Sequence, residues 1–206
     1  MKLMLTSDGF TTKKLFNEFV KLVGKPANEI KIVVIPTAAS YIDNYLPDRA
    51  RDSLLPYGIL KKNVTRLELD HKIKYSEVDG FDVILVGGGN TFLLLDKAKK
   101  SGFKKILDKF LQEGVYIGIS AGSIIMGPGI EISTIGDKNF INLKDLTGLN
   151  YVDFGIAPHK DTQRFIERGR TEEAVQELAK TLPYEIVSIT DFQAVIVVDG
   201  KKRLVG

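Results

Sequence analysis

Val115-Tyr116-Ile117-Gly118-Ile119-Ser120-Ala121-Gly122 sets a short apolar run against small residues on both sides of one serine. Val115–Ile117 reads as a buried strand. The glycines at 118 and 122 permit a sharp turn from strand into helix. Such a turn pushes the Ser120 hydroxyl out into solvent, the mechanical logic of the G-x-S-x-G nucleophile elbow. The same glycines also suit close packing of a strand on a helix, so the pentapeptide by itself supports a catalytic and a purely structural reading.

Upstream of this stretch, strands and helices alternate. Lys2–Thr6 reads as a strand and Ser7-Asp8-Gly9 as a turn. Thr11 or Thr12 is placed to cap a helix carrying Leu15, Phe16, Phe19, Val20 and Val23, which Gly24 and Pro26 end. Lys31–Pro36 holds a continuous apolar run typical of a strand buried on both faces. Thr37–Ser40 leads to a helix ending near Tyr57-Gly58. Val64–Leu69 reads as a strand nearer an edge, and Phe81–Val86 as a fourth strand. Gly87-Gly88-Gly89-Asn90-Thr91 then opens helical patterning through Phe92–Leu95, and Phe103–Glu113 is a further helix. The alternation predicts a single α/β domain over 1–206, with a mostly parallel sheet and right-handed crossovers. Ligands of such sheets bind beyond the carboxyl ends of the strands, where both Ser120 and the triple glycine fall.

Downstream the pattern changes. Gly127-Pro128-Gly129 breaks the helix, and Ile130–Leu149 is loop-rich with room for a short hairpin. Val152–Ala157 reads as a strand delivering Pro158-His159, and Thr162–Lys180 as one helix. Glu185–Ile189, Ala194–Val198 and Arg203–Val205 are the closing strands. Asp199-Gly200 is a type I′ hairpin signal.

Composition narrows the chemistry. The chain has 206 residues, 44% hydrophobic and 27% charged, as expected of a globular protein. Its net charge of +3 is too small to argue for nucleic acid or a membrane surface. The lysines at 97, 99, 100, 104 and 105 lie on helical stretches without interleaved aromatics and read as a solvated face. No cysteine is present, which excludes disulfides, thiolate metal sites and a cysteine nucleophile. Two scattered histidines make a zinc site improbable. No metal and no organic cofactor is expected. The N-terminus lacks a signal-peptide pattern, and no apolar run approaches the ~20 residues of a membrane span, so the expected location is cytoplasmic.

A serine hydroxyl needs a base, and the base needs an orienting group. His71 precedes a lysine-rich loop and reads as surface. His159 ends a strand, as Ser120 does, and is the candidate base. Three carboxylates are candidates for the third role. Asp191 follows the Glu185–Ile189 strand, Asp137 lies in the irregular segment after the elbow, and Asp161 reads as a cap for the next helix. The order Ser…His…Asp differs from the Ser…Asp…His of α/β-hydrolases. An oxyanion would be met by the Ala121 N–H and by Gly88 or Gly89, where glycine lets the backbone approach closely. The triple glycine is neither G-x-G-x-x-G nor G-x-x-x-x-G-K-S/T, so nucleotide binding is disfavoured.

Val86-Gly87-Gly88-Gly89-Asn90-Thr91-Phe92, then Tyr116–Gly122, then Ala157-Pro158-His159 resemble the peptidase E family in order and spacing over nearly the whole chain. The resemblance implies the three-layer α/β/α sandwich of class I glutamine amidotransferases, with serine in place of their cysteine. It implies a cytoplasmic serine peptidase that cleaves dipeptides with an N-terminal aspartate. It makes Ser120 the nucleophile and His159 the base. It puts Asp191 where the family has a glutamate, with Asp137 matching a second family aspartate. The family's Gly-Glu-Thr-Arg, whose region supplies an arginine for the substrate's aspartate, is here Gly169-Arg170-Thr171-Glu172. Arg168 or Arg170, with Asn90, are then the candidate substrate-binding residues, and Glu172 stands where the arginine is expected. The expected partner is a small peptide, with no nucleic acid or membrane, and the chain a monomer or homodimer. A non-catalytic binding module and an amidase or esterase are the alternatives.

Overall fold

A central sheet buried on both faces organises the molecule, whose structure is a computed structural model describing residues 1–40 and 53–206. Seven strands form one sheet in the order β3-β2-β4-β5-β1-β8-β9. They are β1 Lys2–Thr6, β2 Ile32–Ile35, β3 Val64–Arg66, β4 Val83–Val86, β5 Val115–Ile119, β8 Ala194–Val198 and β9 Lys201–Val205. The first five run parallel, while β8 pairs antiparallel with β1 and β9 with β8. In β1, Leu3 and Leu5 face one side with Val33, Ile35, Ile84, Val86 and Tyr116. Met4 faces the other with Ile32, Val34, Val83, Leu85 and Ile117. A sheet buried on both faces explains why its strands read as continuous apolar runs.

Helices cover both faces, so the domain is the expected α/β sandwich. Helix α1 (Lys13–Val23) lays Leu15, Phe16, Phe19 and Leu22 on the Met4 side. Thr12 caps it by accepting the Leu15 N–H at 3.2 Å, and Gly24 ends it at φ 79°. Helices α2 (Thr91–Ser101) and α3 (Phe103–Phe110) cover the opposite side through Phe92, Leu94, Leu95, Phe103, Leu107 and Phe110. Asp199-Gly200, at φ 48° and 79°, joins β8 to β9 as the expected two-residue turn.

Three expectations are corrected. The strand before His159, β6 (Phe154–Ala157), is not in the main sheet; it pairs in parallel with β7 (Glu185–Ser188) as a separate two-stranded sheet. The single helix expected over Thr162–Lys180 is two, α5 (Gln163–Ile166) and α6 (Glu172–Ala179). Between them Gly169 takes φ 91°, the Arg170 N–H closes a turn onto the Phe165 carbonyl, and Thr171 caps α6 by accepting the Ala174 N–H. The room for a hairpin in Ile130–Leu149 is taken by a single bridge, Gly129 to Thr147, and a 3-10 turn over Glu131–Thr134. The helix expected to end near Tyr57-Gly58 falls mainly on residues 41–52, outside the described ones; a 3-10 turn, Leu55–Tyr57, precedes Gly58.

Candidate active site

Ser120 leaves the central strand β5 at φ 50° and ψ −108°, a conformation non-glycine residues rarely adopt. Such a residue costs of order 1–3 kcal/mol and persists only where its surroundings over-determine it. Here they do. The Ser120 N–H donates to the Thr6 carbonyl at 3.0 Å, and the Thr6 hydroxyl donates to the Gly118 carbonyl at 2.8 Å. The buried Tyr116 hydroxyl donates to the Gly122 carbonyl at 2.6 Å. A Cβ on Gly122 would lie 2.2 Å from the Val86 carbonyl oxygen, and one on Gly118 2.7 Å from Gly122. Both small residues of the motif are thus demanded by backbone approach. The short helix α4 (Ala121–Ile124) follows at once.

His159 ends the chain segment after β6, itself at φ 64° and only 5% exposed. Its ring lies flat on Phe165, centroids 4.0 Å apart. Its Nε2 is 3.0 Å from Ser120 Oγ, and its Nδ1 is 2.6 Å from Asp191 Oδ1. β7 and the His159 turn are tied by the Ile189 N–H to Ala157 and the Lys160 N–H to Ile189, which carries Asp191 to the imidazole. Burial pushes the Asp191 carboxyl up. The hydrogen bonds from His159, Ser7 and Thr162 outweigh it and hold the group well below the usual carboxylate range. The Thr162 hydroxyl donates to Oδ2 at 2.5 Å, and the Thr11 hydroxyl to the Asp191 carbonyl at 2.6 Å. A serine, an imidazole and an ionised carboxylate in this sequence can pass the hydroxyl proton to Nε2 as the oxygen attacks.

The triple glycine also packs against Ser120. A Cβ on Gly88 would sit 3.2 Å from Ser120 Cβ and 3.8 Å from its Oγ, so the Gly88 backbone passes directly against the serine. Gly89 is held at φ 143° against Ala38, where a Cβ would come within 2.2 Å of the carbonyl. The N–H groups of Gly88, Gly89 and Ala121 donate to no other described residue.

The other candidates lie elsewhere. Asp137 accepts from the Thr91 N–H at 3.1 Å and hydroxyl at 2.7 Å. Asn90 caps α2 by accepting the Leu93 N–H and donates to the Lys138 carbonyl at 2.8 Å, so its amide is already engaged. Arg168 is exposed, its guanidinium 5.8 Å from the Phe165 ring centre. Arg170 is 2% exposed, 5.0 Å from the same ring centre, and its Nε donates to the Ile135 carbonyl. One terminal nitrogen of Arg170 is buried with no hydrogen-bond partner among the described residues. Burial pulls its basicity down while the Asp137 charge raises it. Glu172 pairs with Lys160 at 3.5 Å. Asp161 is exposed; Thr162, not Asp161, occupies the cap position of α5. His71 is exposed between Asp70 and Glu77. Ser7, Thr162 and Phe165 escaped the sequence reading, because a turn serine, a cap threonine and an inward phenylalanine carry no local signal of what they meet.

The profile of Peptidase family S51 matches residues 3–205. An uncharacterized peptidase of Pasteurella multocida (strain Pm70) is 29% identical over 215 residues, covering 100% of this chain and 98% of that one. An uncharacterized peptidase of Listeria monocytogenes (serovar 1/2a, strain EGD-e) is 32% identical over 205 residues, covering 95% and 93%. Peptidase E of Shewanella sp. (strain ANA-3) is 40% identical over 84 residues, 40% of this chain and 35% of that one. The 1.5 Å crystal structure of a candidate peptidase E protein from Listeria monocytogenes EGD-e matches with a TM-score of 0.76 at 25% identity, covering 98% and 96%.

Proposed function

Because this chain belongs to peptidase family S51 and is a peptidase, we propose that it cleaves short peptides through an acyl-enzyme on Ser120. The observation that carries this reading is the unbroken hydrogen-bond sequence from Ser120 Oγ through His159 to Asp191, at 3.0 and 2.6 Å. Ser120 Oγ attacks the scissile carbonyl while His159 Nε2 takes its proton. The developing oxyanion turns toward the N–H groups of Ala121 and Gly88, with Gly89 beside them; losing one such donor typically costs about 2.7–4 kcal/mol. The tetrahedral centre collapses, and His159 returns the proton to the departing amine. Water, deprotonated by the same imidazole, then releases the acyl group.

The substrate in this reading is a short peptide bearing a carboxylate, with N-terminal aspartyl dipeptides as the first candidates. Two guanidiniums flank Phe165, whose ring carries the catalytic imidazole on its face. Arg168 is the accessible one. Arg170 keeps a terminal nitrogen without a partner among the described residues, as a latent donor to an acid would.

The test is hydrolysis of Asp-X dipeptides against other dipeptides, with Ser120→Ala as the blank. Turnover should be Ser120-dependent and fall by roughly 10⁴-fold or more in the variant. A fluorophosphonate should label Ser120. Absence of both labelling and Ser120-dependent turnover would sink the proposal, and turnover confined to non-acidic peptides would discard the specificity while keeping the mechanism.

A further inference from the structure

We propose that Ser7 is a positioning residue that holds His159 in one tautomer and one orientation against Asp191. The inference rests on the peptidase reading only for its kinetic consequence. Ser7 stands at the carboxyl end of β1, beside the strand that delivers Ser120, and its side chain is fully buried. A buried hydroxyl with no water to meet must be matched by the protein.

Ser7 is matched three times over. Its Oγ–H donates to Asp191 Oδ1 at 2.6 Å. The same oxygen accepts the His159 backbone N–H at 2.8 Å and lies 3.2 Å from His159 Nδ1. A hydroxyl carries one proton, and here it is directed at the carboxylate. Ser7 therefore presents only a lone pair to the imidazole. Asp191 Oδ1, 2.6 Å from Nδ1, also presents only lone pairs. Facing two acceptors, Nδ1 must bear the ring proton, which leaves the Nε2 lone pair pointing at Ser120. That is the tautomer a general base requires.

The backbone bond adds a second restraint. His159 sits at φ 64°, and its N–H is anchored by Ser7 from across the sheet, 152 positions away in sequence. Thr162 hydrogen-bonds only the other carboxylate oxygen with its hydroxyl. Ser7 is thus the group that touches the carboxylate, the imidazole and the histidine backbone together.

The experiment reads the tautomer directly, by ¹⁵N NMR of histidine-labelled full-length protein in a His71→Gln background. With exposed His71 removed, His159 is the one histidine left, since the chain has two. The unsubstituted Ser7 protein should carry its ring proton on Nδ1. Ser7→Ala should shift the spectrum toward mixed tautomers, lower kcat roughly 10- to 100-fold with KM within about twofold, and slow fluorophosphonate labelling by the same factor. Ser7→Cys fills a similar space with a weaker donor and should lower kcat in the same sense if Ser7→Ala does not fold. A ring proton on Nε2 in the Ser7 protein overturns the proposal. So does unaltered kcat and tautomer in Ser7→Ala, or unaltered kcat in Ser7→Cys. A protein that is inert toward peptides and fluorophosphonate yet keeps the Nδ1 proton in a Ser7-dependent way would retain this inference and lose the peptidase reading.

Discussion

The two halves of the candidate site are built on different foundations. Ser120 springs from β5, flanked by parallel neighbours on both sides and buried on both faces. His159 and Asp191 follow β6 and β7, a two-stranded sheet of which β7 is only partly buried. On the first side, backbone crowding leaves the serine nowhere else to go. On the second, side-chain hydrogen bonds from Ser7 and Thr11 tie His159 and Asp191 to the main body, and Thr162, three residues after His159, braces the carboxylate. Ser120 is therefore held by packing together with main-sheet hydrogen bonds, which is expensive to disturb for stability. His159 and Asp191 are held by polar contacts beside the Phe165 stack, and those contacts matter more for geometry than for folding.

Mutations can break that contrast. The largest expected effect is on the polar side and on rate. Asp191→Asn keeps the shape but not the charge, and should lower kcat by roughly 10⁴-fold, the scale of losing the correct histidine tautomer. The unfolding midpoint should move far less than the rate. A rate loss under tenfold would mean that Ser7 and the Phe165 stack orient the imidazole without the acid.

The next effect falls on the packed side and on stability. Gly122→Ala puts a methyl 2.2 Å from the Val86 carbonyl oxygen, a backbone atom that cannot step aside. We expect a loss of about 3 kcal/mol or more, read as a lowered denaturant midpoint. An alanine variant as stable as the parent would show that the elbow has slack and that crowding is not what holds Ser120.

The smallest effect sharpens the comparison through pH. Asp191 has a depressed pKa in the folded protein, relative to an ordinary value of 3.8. Its contribution to stability is fully present above that ordinary value and is lost as pH falls below it, toward the folded-state value. Acid denaturation curves of the parent and of Asp191→Asn should converge below about pH 4, and parallel curves across that range would contradict the assignment.

How much of this was legible beforehand differs by element. The bounds of β1 and β8 match the sequence reading to the residue, and β5 starts where it was expected, because these strands carry apolar runs buried on both faces. The interruption between α5 and α6 was missed, although Gly169 was visible. Phe165, Ile166, Ala174, Val175 and Leu178 keep an apolar spacing that hides a break in the chain. Ser120, His159 and Asp191 each stood at the end of an expected strand, and the three lie in hydrogen-bonding order. Asn90 was legible as a residue beside the glycines, but not as a helix cap already committed to Leu93 and Lys138.

The sequence by itself determined the strand cores, a threonine cap at 11 or 12, the helix stop at Gly24, the Asp199-Gly200 turn and the glycine pattern around Ser120. These depend on neighbours within a few residues, through periodicity and backbone sterics. Only the tertiary structure decided that β6 and β7 stand apart from the main sheet, that Asp137 bonds to Thr91 while Asp191 meets His159, and that Ser7 joins them. Those outcomes turn on hydrogen bonds between groups 32 to 184 positions apart, and no local pattern states which distant acceptor a hydroxyl will find.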